Sequence, residues 1–291
     1  MASSLVEDLI EAGIHFGQRT SGWNPKMTPF IYGKRNGIHI IDIKETVKGL
    51  LLAKKFVSKT VGSGKDICFV GTKRQARTVL TEQVPTVKMH CVTERWLGGT
   101  LTNFRTIRQR LKRLAELEEI ELRDNFASYS KKMESQLRRE KRKISRNLSG
   151  IRDMEKLPGA IVVVDARIEL TALKEARKLG IPTIGLVDTD GDPDLVDIII
   201  PGNDDSMRSI DVIVRELCKA ITEGRQARQI ARAADGGEGN EDGDQPRRSR
   251  RAQYRANDPG EAPAGDEASA DAPAAASPTA GAAPASASTG E

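Results

Sequence analysis

Five short runs in this chain are built mostly of apolar residues, and nothing else in the sequence restricts the fold as much. Residues 66–70, 87–92, 160–164, 183–187 and 196–200 lack the steady polar alternation of a strand with one wet face. Such runs belong to strands buried on both faces, as in a parallel sheet covered by helices. Helix-patterned segments follow several of them, at 72–83, 170–179 and 206–222. Crossovers between parallel strands are right-handed, so the pattern predicts a doubly wound α/β sheet of about five strands.

The rhythm is interrupted once, between the second and third runs. The interruption opens with Arg95-Trp96-Leu97-Gly98-Gly99-Thr100-Leu101-Thr102-Asn103-Phe104. Its two glycines let the chain bend out of the sheet. Phe104, Ile107, Leu111, Leu114 and Leu117 then recur at spacings of three and four, and Met133, Leu137, Ile144, Leu148 and Ile151 form a second stripe. Each stripe is narrow. Paired, they predict an antiparallel helical hairpin with coiled-coil packing, an arm inserted over 104–151 with its tip at 124–130. Twenty helical residues span about 30 Å, so the arm projects from the body.

Across residues 131–146 there are eight bases (Lys131, Lys132, Arg138, Arg139, Lys141, Arg142, Lys143, Arg146) and two acids, Glu134 and Glu140. A solvated helix pair mixes signs at adjacent turns. An excess of this size repels itself unless a polyanion is near, which makes phosphate the first candidate partner. An idle solvated face and an acidic protein groove are the alternatives. The whole chain carries +5, but residues 256–291 hold six acids and no Lys or Arg, which leaves +11 on residues 1–255. A basic body favours nucleic acid through phosphate neutralisation. Aromatic residues are only 4%, too few for a platform that stacks single-stranded bases.

The N-terminal part is read as a short helix over 4–12 with a Ser4/Glu7 capping box. A basic Gly/Pro-rich loop follows over 14–27. Residues 31–41 form a hairpin turned by Asn36-Gly37. An amphipathic helix covers 43–61, capped by Asp42 and Glu45. Residues 1–103 thus supply an N-terminal extension and the first part of the α/β domain, and 152–224 supply the second part. Residues 225–291 read as a disordered, low-complexity tail. No signal-peptide pattern or membrane-length apolar run is present. Cys68, Cys91 and Cys218 have no metal spacing and fit a reducing cytoplasm.

Several chemical motifs fail on inspection. Gly62-Ser63-Gly64-Lys65 lacks the spacing and the Ser/Thr of a phosphate loop and precedes a strand. Val70-Gly71-Thr72-Lys73 sits at a strand-to-helix turn, where amides favour anions, but has no three-glycine fingerprint. The acids from Asp188 to Asp194 imitate a calcium loop with Pro193 in place of its glycine. No metal or cofactor site follows, and no catalytic residue. Asp165 and Asp188 lie at strand ends but have no base, metal set or cofactor motif beside them. A nucleotide-dependent enzyme on the sheet and a protein-interaction adaptor remain the rival readings.

The long motifs point to one family. They are Ala12-Gly13-Ile14-His15-Phe16-Gly17, Trp23-Asn24-Pro25-Lys26-Met27, Arg35-Asn36-Gly37-Ile38-His39-Ile40-Ile41-Asp42 and the stretch from Arg95 to Asn103. Leu179-Gly180-Ile181-Pro182, Val187-Asp188-Thr189-Asp190 and Ile200-Pro201-Gly202-Asn203-Asp204-Asp205 follow in order. With them the chain, over roughly residues 5–225, closely resembles the bacterial small-subunit ribosomal protein two family. The resemblance implies a flavodoxin-like sheet with a coiled-coil insertion, binding to small-subunit ribosomal RNA between head and body, and help in docking the large first protein of that subunit. The chain has Gln18 where the family often carries a second histidine, and its Ala166-Arg167-Ile168-Glu169 differs from a usual His-containing version. The expected role is structural, on the cytoplasmic ribosome, with recognition by shape and phosphate. Lys26, Lys34, Arg35, Arg95, Trp96, Asn103, Arg105, Arg108, Arg139 and Arg142 are the expected RNA contacts.

Overall fold

The computed structural model describes residues 2–235 except 125, 127 and 128, and all of these fall within one compact unit. The tail expected beyond residue 235 lies outside the described residues.

The chain begins with α1 (Ala2–Glu11), then β1 (Phe16–Arg19), β2 (Ile31–Arg35) and β3 (Ile38–Ile41), which form a small antiparallel sheet in the order β1-β3-β2. The β2–β3 turn is the expected one: Asn36 and Gly37 have φ of 52° and 75°, the paired positive values that match the twist of a two-residue hairpin. Two expectations fail here. Helix α1 starts at Ala2, which places Ser4 within the helix and not at its N-cap position. The segment read as a loop over 14–27 contains β1, whose Phe16 pairs with Ile40, and the start of a 3-10 helix, Pro25–Phe30. Four residues are too short a run to show a period.

Helix α2 (Ile43–Gly62) is capped by Asp42, whose carboxylate accepts from Lys44 N–H, but the expected Glu45 half of the box is absent: Asp42 N–H donates to the Phe30 carbonyl and Glu45 pairs with Lys48. Then come β4 (Ile67–Val70), α3 (Arg74–Gln83) and β5 (His90–Val92). The interruption forms α4 (Phe104–Asp124) and α5 (Lys131–Leu148). The chain resumes with β6 (Ala160–Val164), α6 (Leu170–Leu179), β7 (Thr183–Val187), β8 (Ile198–Pro201) and α7 (Met207–Asp235). The five later strands make one parallel sheet, ordered β5-β4-β6-β7-β8. Every residue of β4, β6 and β7 is buried, because both sheet faces are covered.

Alternate strand residues serve different layers. Phe69, Val162, Ile184 and Leu186 pack against α2, α3 and α7 through Leu50, Leu80 and Leu217. Cys68, Val70, Ile161 and Val163 face the other way, toward Leu173 of α6 and toward Trp96, Leu101, Leu148 and Ile151 at the root of the interruption. Burying each such aliphatic side chain contributes about 1.5–3 kcal/mol. The arm therefore grows out of the second core layer.

Helix α7 runs eleven residues past the expected boundary at 224. A Cβ at Gly224 would lie 2.6 Å from the Ser58 carbonyl oxygen. Its missing side chain lets α7 pass close to α2, and the helix continues. The expected disorder at 225–235 is thus corrected.

Candidate nucleic-acid interface

Helices α4 and α5 pack against each other over Leu117, Phe126 and Leu137, with Ile120 and Ile144 at the margin. Leu114 and Leu148 are buried as their stripes require, whereas Met133 is 45% exposed and leaves the seam. Ion pairs tie one helix to the other: Lys141 to Glu121, and Arg113 to Glu140 at 3.6 Å.

The root is held by a carboxylate. Glu175 of α6 is 9% exposed and accepts from the backbone N–H of Gly99 (2.7 Å), Leu101 (3.0 Å) and Thr102 (3.2 Å). Trp96 Nε1–H donates to it at 3.2 Å and Thr102 Oγ1 at 3.3 Å. Burial pushes its pKa up, but the three amides and the indole outweigh this and hold it below the ordinary value. The Arg95–Asn103 turn, with Gly99 at φ 90°, is thus wrapped around one anion. A second tie is Glu94, which accepts from Arg77 of α3 (3.2 Å) and Arg146 of α5 (2.8 Å).

Beside this root lies a groove of about 490 Å³ lined by Arg95, Arg139, Arg142, Lys143 and Arg146, with Glu94 and Asn147. It continues toward the tip past Lys131 and Arg138. Glu134 is 3.0 Å from Arg138, and Arg113 takes Glu140. Among the described residues no acid pairs with Arg139, Arg142 or Lys143. Exposed guanidinium groups without counter-ions, spaced along one helix face, can each bind a phosphate oxygen pair.

The expected contacts do not form one surface. Arg95, Arg139 and Arg142 meet in that groove. Arg105 and Arg108 line a different depression with Phe104, Lys112, Lys156 and Leu157. Lys34 and Arg35 are exposed at the end of β2. Lys26 is held by Asp192 (3.1 Å) and Asp194 (2.6 Å), which raise its pKa. Trp96 is 8% exposed and bonded to Glu175, so its place among the expected RNA contacts is corrected: it is a wedge in the arm's root. Asn103 is exposed and accepts from Thr106 Oγ1 at the start of α4. Lys143 and Arg146, named in the basic excess of 131–146 though not among the ten expected contacts, line the same groove. Glu175 was missed, and no local signal marks it.

The carboxyl ends of β4 and β6, where a sheet of this kind receives ligands, are already filled. Thr72 N–H, at the turn where free amides would favour an anion, donates to Glu169 Oε1 at 2.9 Å. Lys73 Nζ lies 2.6 Å from both Asp204 and Asp205 and 3.4 Å from Asp165. Burial pulls the Lys73 ammonium down, yet these carboxylates outweigh it and leave its pKa raised. Burial also pushes Asp188 up to about 7, against the Thr189 amide that lowers it. Carboxylate oxygens of Asp188, Asp204 and Asp205 converge within 4.8 Å, close enough to share a divalent cation. Lys73 already serves two of the three as counter-ion. Among the described residues, the amide and the ammonium that could meet a nucleotide phosphate here are both taken by carboxylates.

The profile of the family described as Ribosomal protein S2 matches residues 9–224. The small ribosomal subunit protein uS2 of Rhodopirellula baltica is 54% identical over 233 residues, covering 80% of this chain and 90% of the relative. That of Acidothermus cellulolyticus is 48% identical over 237 residues, covering 81% and 86%. With matches that take in the sheet, the arm and its root together, the chain belongs to the ribosomal protein S2 family.

Proposed function

We propose that this protein is a structural constituent of the small ribosomal subunit that grips ribosomal RNA by shape and phosphate and helps dock a neighbouring protein. The single observation that carries the RNA reading is the α5 groove, where Arg139, Arg142 and Lys143 stand exposed with no acid among the described residues paired to them. An A-form helix offers a protein its backbone and minor groove rather than readable base edges in the major groove, so unpaired guanidinium groups are suited to it. The family is structural and not enzymatic, and its members work on the ribosome in the cytoplasm. No described helix is long and apolar enough to cross a membrane.

The finer fold reading has support too. Numbered within the parallel sheet, the strand order is 2-1-3-4-5, the flavodoxin-like order. The apolar contacts and cross-helix ion pairs of α4 and α5 favour coiled-coil packing. Protein docking, with the large first protein of the subunit as the partner, is supported by Tyr32 and Phe16, which are 81% and 48% exposed on the small sheet. Exposed aromatics of this kind anchor protein interfaces.

The test is charge reversal, Arg139→Glu with Arg142→Glu and Lys143→Glu, in the full chain. Incorporation into small subunits falls, and the salt dependence of RNA binding loses about two to three units of slope, near one per phosphate contact. A variant that folds, incorporates fully and keeps its slope overturns the role of the groove.

A further inference from the structure

On the opposite layer of the body, three helices enclose a cleft whose chemistry differs from the arm's. Its volume is about 490 Å³, and α1, α3 and the first turns of α7 form its walls. Asp8 and Glu11 stand three residues apart on α1, which places them on one helix face. Glu82 faces them from α3. The floor is apolar, made by Ala12, Val79 and Val212, and Met207 is 48% exposed at its mouth. Two bases also line the cleft. Arg215 lies 4.0 Å from Asp211, which also accepts from Gln83, so that base is matched. Arg208 is left against the three rim acids.

An acidic cleft on a basic protein repels the phosphate backbone, so it is no extension of the RNA grip. Concavity, an apolar floor and an adaptable methionine are the features of a groove that receives an amphipathic helix. We propose that this cleft docks a basic amphipathic helical segment of another protein, its apolar side chains on Val79, Val212 and Met207 and its Lys or Arg side chains on Asp8, Glu11 and Glu82. Charge complementarity selects the occupant: an acidic helix meets three like charges at the rim, and like-charge contacts across an interface cost several kcal/mol. The partner thus sits on the layer away from the arm's root, and one body joins an RNA face to a protein face.

The test uses the full chain in assembled small subunits. A photo-crosslinking amino acid replaces Met207, and the crosslinked product is identified by mass spectrometry. The expected product is a protein segment with Lys or Arg flanking apolar residues at helical spacing. Asp8→Lys with Glu11→Lys and Glu82→Lys lowers its yield about tenfold or more, while a second crosslinker at Asn147, beside the arm groove, still reacts with RNA. If the triple variant does not assemble, Glu82→Lys alone is scored in the same way. Crosslinking of position 207 to RNA, to an acidic segment or to nothing overturns the proposal, as does full yield in the charge-reversed chain. Loss of the Asn147 crosslink alone counts against the RNA reading and leaves the cleft's partner assignment standing.

Discussion

Replacing Glu175 by alanine removes the acceptor of five donors at once. Three are backbone amides of the Gly99–Thr102 turn, and the indole N–H of Trp96 is buried with them. A hydrogen bond to a charged group contributes about 1.5–3 kcal/mol. The five share two oxygens and do not add. Removing one side of a buried charged arrangement costs about 3–5 kcal/mol, and that is the expected loss. For a body of this size each kcal/mol moves Tm by about 2–4 °C, so Tm falls by about 10 °C. Amide hydrogen exchange reads the site directly: Gly99, Leu101 and Thr102 exchange at least about tenfold faster in the variant. Glu175→Gln is no rescue, because its Nε2 presents a donor to the Leu101 and Thr102 amides or to the Gly99 amide and Trp96. The carboxylate's pKa is lowered by folding, so its contribution is present above its ordinary value of 4.5 and is lost as pH falls through the folded value. Unaltered protection at those three amides, with a Tm change under about 2 °C, refutes the anchoring.

Asp188 behaves in the opposite sense. Its pKa is raised from 3.8 to about 7 by burial, so folding favours its protonated form. That stability is full below about pH 4 and is lost as pH rises through about 7. Asp188→Asn should therefore match the parent at pH 4 and exceed it at pH 8, by at most about 4 kcal/mol, in urea melts with EDTA present; parallel curves would contradict the assignment. Gly150→Ala places a Cβ 2.0 Å from the Cys91 carbonyl oxygen, where the arm returns to β5. A loss of about 1–3 kcal/mol in thermal melts is expected from this overpacking, and an unshifted Tm would show that the contact yields freely. Trp96→Leu should lower Tm through lost packing yet leave RNA crosslinking in the arm groove intact at permissive temperature. Loss of that crosslinking in a folded variant would restore Trp96 to the RNA contacts.

Much of the fold was visible in the chain because its causes are local. The apolar runs of β4, β6 and β7, the Asn36-Gly37 turn and the paired stripes of α4 and α5 each follow from spacing or from the φ that one residue type allows. Failures came where a residue's meaning depends on what lies across from it. Gly224 stands at the expected end of the α/β domain, yet α7 runs on through it against Ser58 of α2. Trp96, expected among the RNA contacts, is buried and donates to Glu175 from another element. Met133 sits in register with a stripe but points outward.

The sequence by itself determined that a covered parallel sheet carries a basic two-helix interruption, since burial on both faces and the excess of bases over acids are written into residue order. Tertiary structure alone decided which bases are free. Glu140, Glu121 and Glu94 neutralise Arg113, Lys141, Arg77 and Arg146 from other elements, and only then are Arg139, Arg142 and Lys143 left in one groove without a paired acid among the described residues. It also brought Glu175 to a turn 73–79 residues earlier, and Asp8 and Glu11 opposite Glu82. Charge is a property of the residue. Whether that charge is available to a partner depends on distances of a few ångströms between segments that only the crossovers bring together.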